Sequence, residues 1–119
     1  MKKLISWVDI PTENFERGVN FYNEVFKLQL QPIDCGIEKM ACLPNGEGSV
    51  AWAPDFKPSG NGVLVSFAVP DTIEETIKRI EKNNGKITIP KTKIEAEGMG
   101  YFAVFIDSEG NKVGLYEEL

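Results

Sequence analysis

The sequence contains no histidine, and cysteine is nearly as rare, with Cys35 and Cys42 the only two thiols among 119 residues. Because histidine is the commonest protein ligand for transition metals, its absence removes the usual basis of a metal centre. The two thiols flank the segment GIEKMA and could form a disulfide across a hairpin, but reduced thiols are the expected state in the cytosol. The pair alone does not predict a metal site, since no third ligand is evident nearby.

Positive charge and long apolar runs are also scarce. Thirteen lysines and arginines against eighteen acidic residues give a net charge of −5, which argues against nucleic-acid binding because that function needs a basic face. The excess of acidic residues suits solubility and mildly favours neutral or cationic ligands. No segment approaches the roughly 18 apolar residues of a membrane span, and the first residues lack the apolar run of a signal peptide. The sequence therefore predicts a single cytoplasmic domain without nucleic-acid or membrane partners.

The first half of the chain has the pattern of one strand, one helix and three strands. The run KLISWVDI alternates as a strand does, and FERGVNFYNEVF places Phe15, Val19, Tyr22 and Phe26 on one helical face. Thr12 or Asn14 could cap this helix. Three strand-like runs follow, namely LQLQPIDC, EKMACLP and GSVAWAP.

The second half repeats the same order. GVLVSFAV is a strand, DTIEETIKRIEKNNG is a helix that Asp71 and Glu74 could start as a capping box, and KITIPKTKI, GYFAVFID and NKVGLYEEL are strands. This repeat predicts an α+β fold of two tandem βαβββ modules, about 1–55 and 62–119, joined by a linker at about 56–61. Their sheets, each covered by its helix, would form a curved mixed sheet with a central cleft.

The chain resembles the vicinal oxygen chelate superfamily, which includes glyoxalase I, bleomycin-resistance proteins and extradiol dioxygenases. The residues that carry the resemblance are VDIPTENFERGVNFYNEVFKLQL, FKPSGNGVLVSFAVPD and GYFAVFIDSEGNKVGLYE. The resemblance covers nearly the whole chain and is specific for the fold, because the shared positions are mostly helix-packing and turn residues. It implies a glyoxalase-like protein that often works as a homodimer.

The metalloenzymes of that superfamily take four ligands from the first and last strands of the two modules. The resemblance places these positions at Trp7, Ala51, Leu64 and Gly114, each to within one residue. None of these side chains can bind a divalent cation, and the neighbouring residues are no better. A carboxylate-only site on Asp9, Glu38 and Glu118 would be a weak Mg²⁺ or Ca²⁺ site. We therefore expect no metal and no cofactor.

Strand alternation predicts which side chains line the cleft. Val8, Ile10, Val65, Phe67, Val69, Val113 and Leu115 would face the helices, and the alternate residues, with Met40 and Ala103 from neighbouring strands, would face the cleft. The predicted ligand-binding residues are Trp7, Asp9, Trp52, Leu64, Ser66, Tyr101, Gly114 and Tyr116. Such an apolar, aromatic surface with a few polar groups is typical of small-molecule sites. Gly114 and Ala51 would leave open volume in it.

Plainer interpretations of these residues remain open. The two tryptophans could plug the groove between the modules, and the two tyrosines could be rim residues whose hydroxyls contact water. Asp9 precedes Ile10 and Pro11 and could stabilise a turn.

Three functions fit these observations. The favoured one is metal-free binding of a small molecule, for sequestration or resistance, in which a flat or cationic ligand is held by stacking and cation–π contacts. The second is a metal-independent lyase or isomerase in which Asp9, a weak candidate, or a tyrosine performs acid–base catalysis. The third is a regulatory or interaction module whose cleft has collapsed around its tryptophans.

Overall fold

The computed structural model describes residues 3–119, which form eight strands, two α-helices and one short 3₁₀ turn. The first module consists of β1 (Val8–Pro11), α1 (Phe15–Phe26), β2 (Pro32–Asp34), β3 (Lys39–Cys42) and β4 (Gly48–Trp52). The second consists of β5 (Val65–Ala68), α2 (Ile73–Lys82), β6 (Lys86–Lys93), β7 (Tyr101–Ile106) and β8 (Lys112–Glu117). The predicted α+β fold with two βαβββ modules is confirmed.

Each module contributes one four-stranded mixed sheet. The strand orders are β1-β4-β3-β2 and β5-β8-β7-β6, with β1–β4 and β5–β8 parallel and the other pairs antiparallel. Within residues 3–119, no backbone hydrogen bond joins β1 to β5, so a seam separates the two sheets. Three of the strands at sheet edges contain a proline, which lacks an N–H to donate to a further strand: Pro11, Pro32 and Pro90.

The first strand is shorter than predicted. We expected a strand from Lys3, but β1 begins at Val8, because β4, with which it pairs, begins at Gly48 and pairs Gly48 with Val8. Residues 3–7 consequently lie outside the ladder.

The helix α1 begins and ends where the sequence predicts. Its apolar stripe is buried at Phe15, Val19, Tyr22 and Phe26. Of the two predicted caps, Asn14 is the one used, since its side chain accepts a hydrogen bond from the Arg17 N–H at 3.0 Å. Thr12 instead donates to the Ala51 carbonyl at 2.9 Å.

The helix α2 is capped one residue later than predicted. Thr72, rather than Asp71, is the N-cap, and its hydroxyl accepts from the Glu75 N–H at 3.1 Å. Asp71 pairs with the Arg79 guanidinium at 2.9 Å. No helix within residues 3–119 is both long and apolar enough to cross a membrane.

The two modules share one hydrophobic core. Phe26 of α1 stacks on Phe67 of β5, with ring centres 4.7 Å apart, and Tyr22 lies 5.4 Å from the same ring. Phe21 packs near Phe105 of β7, at 6.0 Å. The first module's helix therefore covers part of the second module's sheet. The strand residues predicted to face the helices all lie in this core or pack against it.

The two cysteines lie on the hairpin of β2 and β3, but not opposite each other. Cys35 donates its N–H to the Glu38 carbonyl at 2.8 Å, and the next pairs along the hairpin are Asp34 with Lys39 and then Ile33 with Met40. Cys42 lies a further two residues along β3. Such a separation is too long for a disulfide, and both thiols are free. The disulfide considered from the sequence is therefore wrong.

Candidate functional site

Each sheet has one face against the helices and one face without a helix, here called the open face. Strand pairing places Asp9 beside Ser49 and Cys42 across the open face of the first sheet. It places Ser66 beside Gly114 in the second. Tyr116 lies two residues beyond Gly114, on the same face.

Trp7 and Leu64 stand just before the two strands that border the seam. Trp7 precedes β1 and is 42% exposed, and Leu64 precedes β5 and is 47% exposed. Each is two residues ahead of an open-face residue, Asp9 or Ser66.

The predicted placement of Trp52 and Tyr101 in the cleft is wrong. Trp52 pairs with Lys39 on the same face as Val50, and it packs against the core. Tyr101 also packs against the core, with the Lys91 ammonium 4.5 Å from its ring centre.

The error comes from the register of two strands. Ala51 and Trp52 are consecutive in β4 and cannot share a face. In β7 the open face carries Phe102 and Val104, whereas Ala103, which we also placed in the cleft, is a core residue. Trp52 therefore does not plug the groove.

The Asp9 carboxylate is held by two donors at one of its oxygens. The Trp7 indole N–H donates to Asp9 Oδ1 at 2.7 Å, and the Ser49 hydroxyl donates to the same atom at 2.7 Å. Oδ2 makes no hydrogen bond with any residue from 3 to 119, and Asp9 is exposed. The carboxylate is thus fixed in direction and still has an oxygen to offer a ligand.

Gly114 does not leave open space. A side chain built on it would meet the Ser66 hydroxyl, with the Ser66 Cβ at 3.3 Å. The volume beside the glycine is therefore occupied by Ser66, contrary to the prediction. The Tyr116 hydroxyl is also engaged, because it accepts a hydrogen bond from the Gly100 N–H at 3.0 Å.

A cavity of about 550 Å³ lies in the seam at the end of β1 and the start of β5. Of the predicted ligand-binding residues, it brings together Asp9, Leu64 and Ser66. Most of its other walls are apolar, formed by Ile5, Val8, Ile10, Val63, Val65 and Val113. We call it the seam cavity.

Sequence reasoning missed several residues that line the seam cavity. Phe56, Lys57 and Ser59 belong to the segment interpreted as a linker, Asn111 ends the last turn, and Lys112 begins β8. An aromatic residue in a segment rich in proline and glycine was the available signal for Phe56.

A second cavity of about 540 Å³ lies at the other end of the seam. Val8, Ile10, Val65 and Ser66 line both cavities. The second one also contacts Phe26 and the turn between β3 and β4.

The turn between β7 and β8, residues 107–111, fixes one wall of the seam cavity; we call it the latch turn. Asp107 is 3% exposed and accepts a hydrogen bond from the Tyr22 hydroxyl at 2.6 Å. Burial raises the pKa of Tyr22 well above its ordinary value, and the Asp107 carboxylate raises it further. Asn111 donates to the Pro11 carbonyl at 2.8 Å and accepts from the Ser59 N–H at 3.2 Å.

Glu109 of the latch turn acts on the start of α1. Its carboxylate accepts from the Glu13 and Asn14 N–H groups at 3.0 and 2.7 Å, and from Arg17 Nε at 2.6 Å. A carboxylate at a helix N-terminus stabilises the helix. The second module thereby fixes the first at the point where β1 passes into α1.

The four positions that the resemblance assigns to metal ligands do not fit a metal. Trp7, Ala51, Leu64 and Gly114 carry no oxygen, sulfur or imidazole donor in their side chains. Within residues 3–119, no group of three or more acidic, cysteine or histidine side chains is arranged to hold an ion.

Known proteins share this architecture. The description Glyoxalase/Bleomycin resistance protein/Dioxygenase superfamily matches residues 4–115. A glyoxalase/bleomycin resistance protein/dioxygenase family enzyme from Burkholderia phytofirmans PsJN is 20% identical, with a TM-score of 0.72 over 96% of this chain and 98% of its own. A glyoxylase/bleomycin resistance protein/dioxygenase domain from Frankia sp. EAN1pec is 14% identical, with a TM-score of 0.74 over 100% of both chains.

A genomically encoded fosfomycin resistance protein from Listeria monocytogenes is also similar in structure. It is 14% identical, with a TM-score of 0.69 over 100% of this chain and 96% of its own. No protein of curated function matches the chain in sequence. Because these solved structures are only 14–20% identical to the chain, they show a common fold and no more.

Proposed function

We propose that this chain, which belongs to the Glyoxalase/Bleomycin resistance protein/Dioxygenase superfamily, binds a small organic molecule in its seam cavity without using a metal. The observation that carries the proposal is the Asp9 carboxylate, held by Trp7 and Ser49 at an apolar cavity of about 550 Å³. Small-molecule sites are mostly apolar clefts of about 300–1,000 Å³ with a few fixed polar groups. Binding would serve sequestration or resistance.

The chemistry of the walls favours a ligand with an apolar body and a cationic or hydrogen-bond-donating group. Asp9 has one carboxylate oxygen available to accept, and the half-exposed Trp7 ring lies beside it. A carboxylate next to an indole suits a cation, which both groups attract.

The binding test compares a cationic aromatic amine with its neutral isostere by calorimetry. We expect Asp9→Asn to weaken binding of the amine about tenfold or more, since a hydrogen bond to a charged group contributes about 1.5–3 kcal/mol. Binding of the neutral isostere should change little. Glu38→Gln, at an exposed carboxylate on the β2–β3 hairpin, is the matched control.

A second variant tests the location. Ser66→Phe should fill the seam cavity and abolish binding of both compounds. If Asp9→Asn and Ser66→Phe both bind the amine like the wild type, the ligand does not occupy this cavity and the proposal is wrong.

Metal-free binding is favoured over the two alternatives. A metal-independent lyase or isomerase would need Asp9 in dry surroundings, whereas Asp9 is exposed. A cleft collapsed around two tryptophans does not fit the position of Trp52 on the other face. Elemental analysis of the purified protein should find zinc, nickel, manganese and iron well below one equivalent per chain.

The chain is also proposed to be a homodimer. Three exposed apolar side chains line the seam cavity and a fourth, Leu4, is next to Ile5 in the sequence, and exposed apolar surface is a common site of association: Leu4, Ile5, Val63 and Leu64. Light scattering at tens of micromolar should give a dimer mass, and Leu4→Ser with Val63→Ser should shift it toward the monomer. A monomer mass for the wild type would contradict the proposal.

A further inference from the structure

Strand β3 carries two sulfur-containing side chains that contact each other on the open face. Met40 and Cys42 are two residues apart and therefore point to the same side. The Cys42 Sγ and Met40 Sδ atoms are 3.9 Å apart. The two side chains thus form a pair whose sulfur atoms lie in van der Waals contact.

Cys42, one member of the pair, lies in largely apolar surroundings. Cys42 is half-buried and lines a cavity of about 330 Å³ whose walls include Leu28, Leu30, Ile33 and Pro44. Two amide side chains, Gln29 and Gln31, also line this cavity. This third cavity shares no residue with the seam cavity.

We infer that Met40 and Cys42 form a binding site for a soft monovalent cation, Cu(I) in particular. Thiolate and thioether sulfurs are the ligands that select Cu(I) over harder ions. An ion about 2.3 Å from each sulfur, a typical metal–thiolate length, would subtend an S–metal–S angle of about 115° at this separation. That angle is close to the one expected for three ligands in a plane, of which the two sulfurs supply two.

The proton balance of binding is simple. The Cys42 thiol loses its proton to solvent when the thiolate binds the cation, whereas the Met40 thioether has no proton to lose. No electron is transferred, because the copper enters and remains as Cu(I).

Methionine is the residue that completes this site. From the sequence, two cysteines without a third ligand did not predict metal binding, and Cys35 is indeed too far along the hairpin to join Cys42. Cys35 is nevertheless an exposed thiol in the same hairpin. It therefore provides a matched control.

The test is a titration of the reduced full chain with Cu(I) under anaerobic conditions, in competition with the chromophoric chelator bicinchoninate. We expect one Cu(I) per chain and a thiolate-to-copper charge-transfer band in the ultraviolet. Cys42→Ser should abolish both. Met40→Leu should weaken Cu(I) affinity by at least about 10-fold, since removing even a group that only supports a metal ligand lowers affinity by about 10- to 100-fold. Cys35→Ser should bind like the wild type.

Two outcomes would overturn the inference. Undiminished Cu(I) binding by Met40→Leu would show that the thiolate binds alone. A loss of binding in Cys35→Ser equal to that in Cys42→Ser would show that copper bridges the two thiols.

A second measurement does not depend on any variant folding. Ag(I), a redox-inert analogue, should slow alkylation of Cys42 but not of Cys35, as mapped by mass spectrometry, and equal protection of both thiols would also contradict the site.

Discussion

The turns that join the last two strands of each module occupy the same place in the repeat and are built differently. In the first module, residues 44–47 are exposed, and the turn is closed by a backbone bond from the Leu43 N–H to the Gly48 carbonyl at 2.8 Å. In the second module, the latch turn is largely buried and bonds to α1, to β1 and to the linker. The backbone bonds of the first turn stay within its own module, to its hairpin and to the Val8 N–H, whereas the second turn joins the two modules.

This difference shows where the asymmetry of the molecule originates. The repeat fixes the order of strands and helices in both halves, but it does not fix the contacts between them. Many of the polar contacts between them come from three side chains of one turn, Asp107, Glu109 and Asn111. Since Asn111 also holds Pro11 and Ser59, the latch turn sets the geometry of the seam cavity.

The largest expected effect comes from removing the centre of the latch turn. Asp107→Ala would leave the buried Tyr22 hydroxyl and the Glu109 and Asn111 N–H groups without their acceptor. We expect a loss of about 3–5 kcal/mol in the free energy of unfolding, as for other broken buried charge networks. Urea denaturation measures it.

The matched change in the first module is Glu47→Ala. Glu47 is exposed, so this substitution should change the free energy of unfolding by about 0.5 kcal/mol or less. Equal losses for the two variants would contradict the proposed division of roles between the turns.

A smaller loss is expected for Glu109→Gln, which keeps the shape of the side chain but removes its charge. Hydrogen bonds to charged groups contribute about 1.5–3 kcal/mol, and the amide oxygen retains part of these bonds. We expect a loss of about 1–2 kcal/mol at neutral pH. Chemical denaturation of both proteins measures the difference.

The same variant should alter the response to acid. Burial alone raises the pKa of the Glu109 carboxyl, but Arg17, the Asn14 N–H and Ser108 lower it below its ordinary value of 4.5. Because the pKa is depressed in the folded state, the carboxylate stabilises the fold above the unfolded-state pKa. That contribution is lost as the pH falls through the folded-state pKa. The gap between wild type and Glu109→Gln should therefore narrow below about pH 4.5, and a constant gap would argue against a role for the charge.

The sequence predicts the elements better than it predicts the cleft. The spacing of Phe15, Val19, Tyr22 and Phe26 is sufficient to define α1, because a helix with one apolar stripe has one way to face the core. Tyr101 could not be placed in the same manner. Its strand, GYFAVFID, is apolar at nearly every position, so alternation does not distinguish its two faces.

The latch turn shows a second limit of sequence interpretation. The motif DSEGN predicts a turn from its glycine and polar residues, and a turn is what forms. The hydrogen bond that Asp107 accepts from Tyr22 joins residues 85 positions apart in the sequence. It depends on tertiary contacts that a local sequence pattern does not encode.

The smallest expected effect concerns two of the positions that the resemblance assigns to metal ligands, Gly114 in the second module and Ala51 in the first. Gly114→Ala would place a methyl group against Ser66. The exposed Ser66 hydroxyl can rotate away, which reduces the crowding. The substitution also lowers the entropy of the unfolded chain, which stabilises the fold by about 0.4–1 kcal/mol and offsets part of the loss. We expect the free energy of unfolding to change by no more than about 1 kcal/mol, which the shift in melting temperature measures.

Two further variants sharpen this comparison. Combining Ser66→Gly with Gly114→Ala removes the side chain that the new methyl group would contact. The double variant should therefore not lose the stability that this crowding costs the single Gly114→Ala variant. Ala51→Gly should lower the free energy of unfolding by about 0.5–1 kcal/mol, because glycine in a strand loses more conformational entropy on folding than alanine does. The stability of the double variant is compared with the sum of the changes in Ser66→Gly and in Gly114→Ala. If the double variant is less stable than that sum predicts, Ser66 is not the residue that fills the space beside Gly114.

The hydrogen bonds from Glu109 to the segment before α1 have a consequence for dividing the protein into two fragments. Residues 60–62 are exposed, so the chain can be cut there without disturbing a strand. The N-terminal fragment would then lack the Glu109 carboxylate at the start of α1, and the C-terminal fragment would lack the Phe26 ring that stacks on Phe67. Neither fragment would fold alone, whereas the two mixed together would restore both contacts, which makes this chain suitable as a fragment-complementation pair.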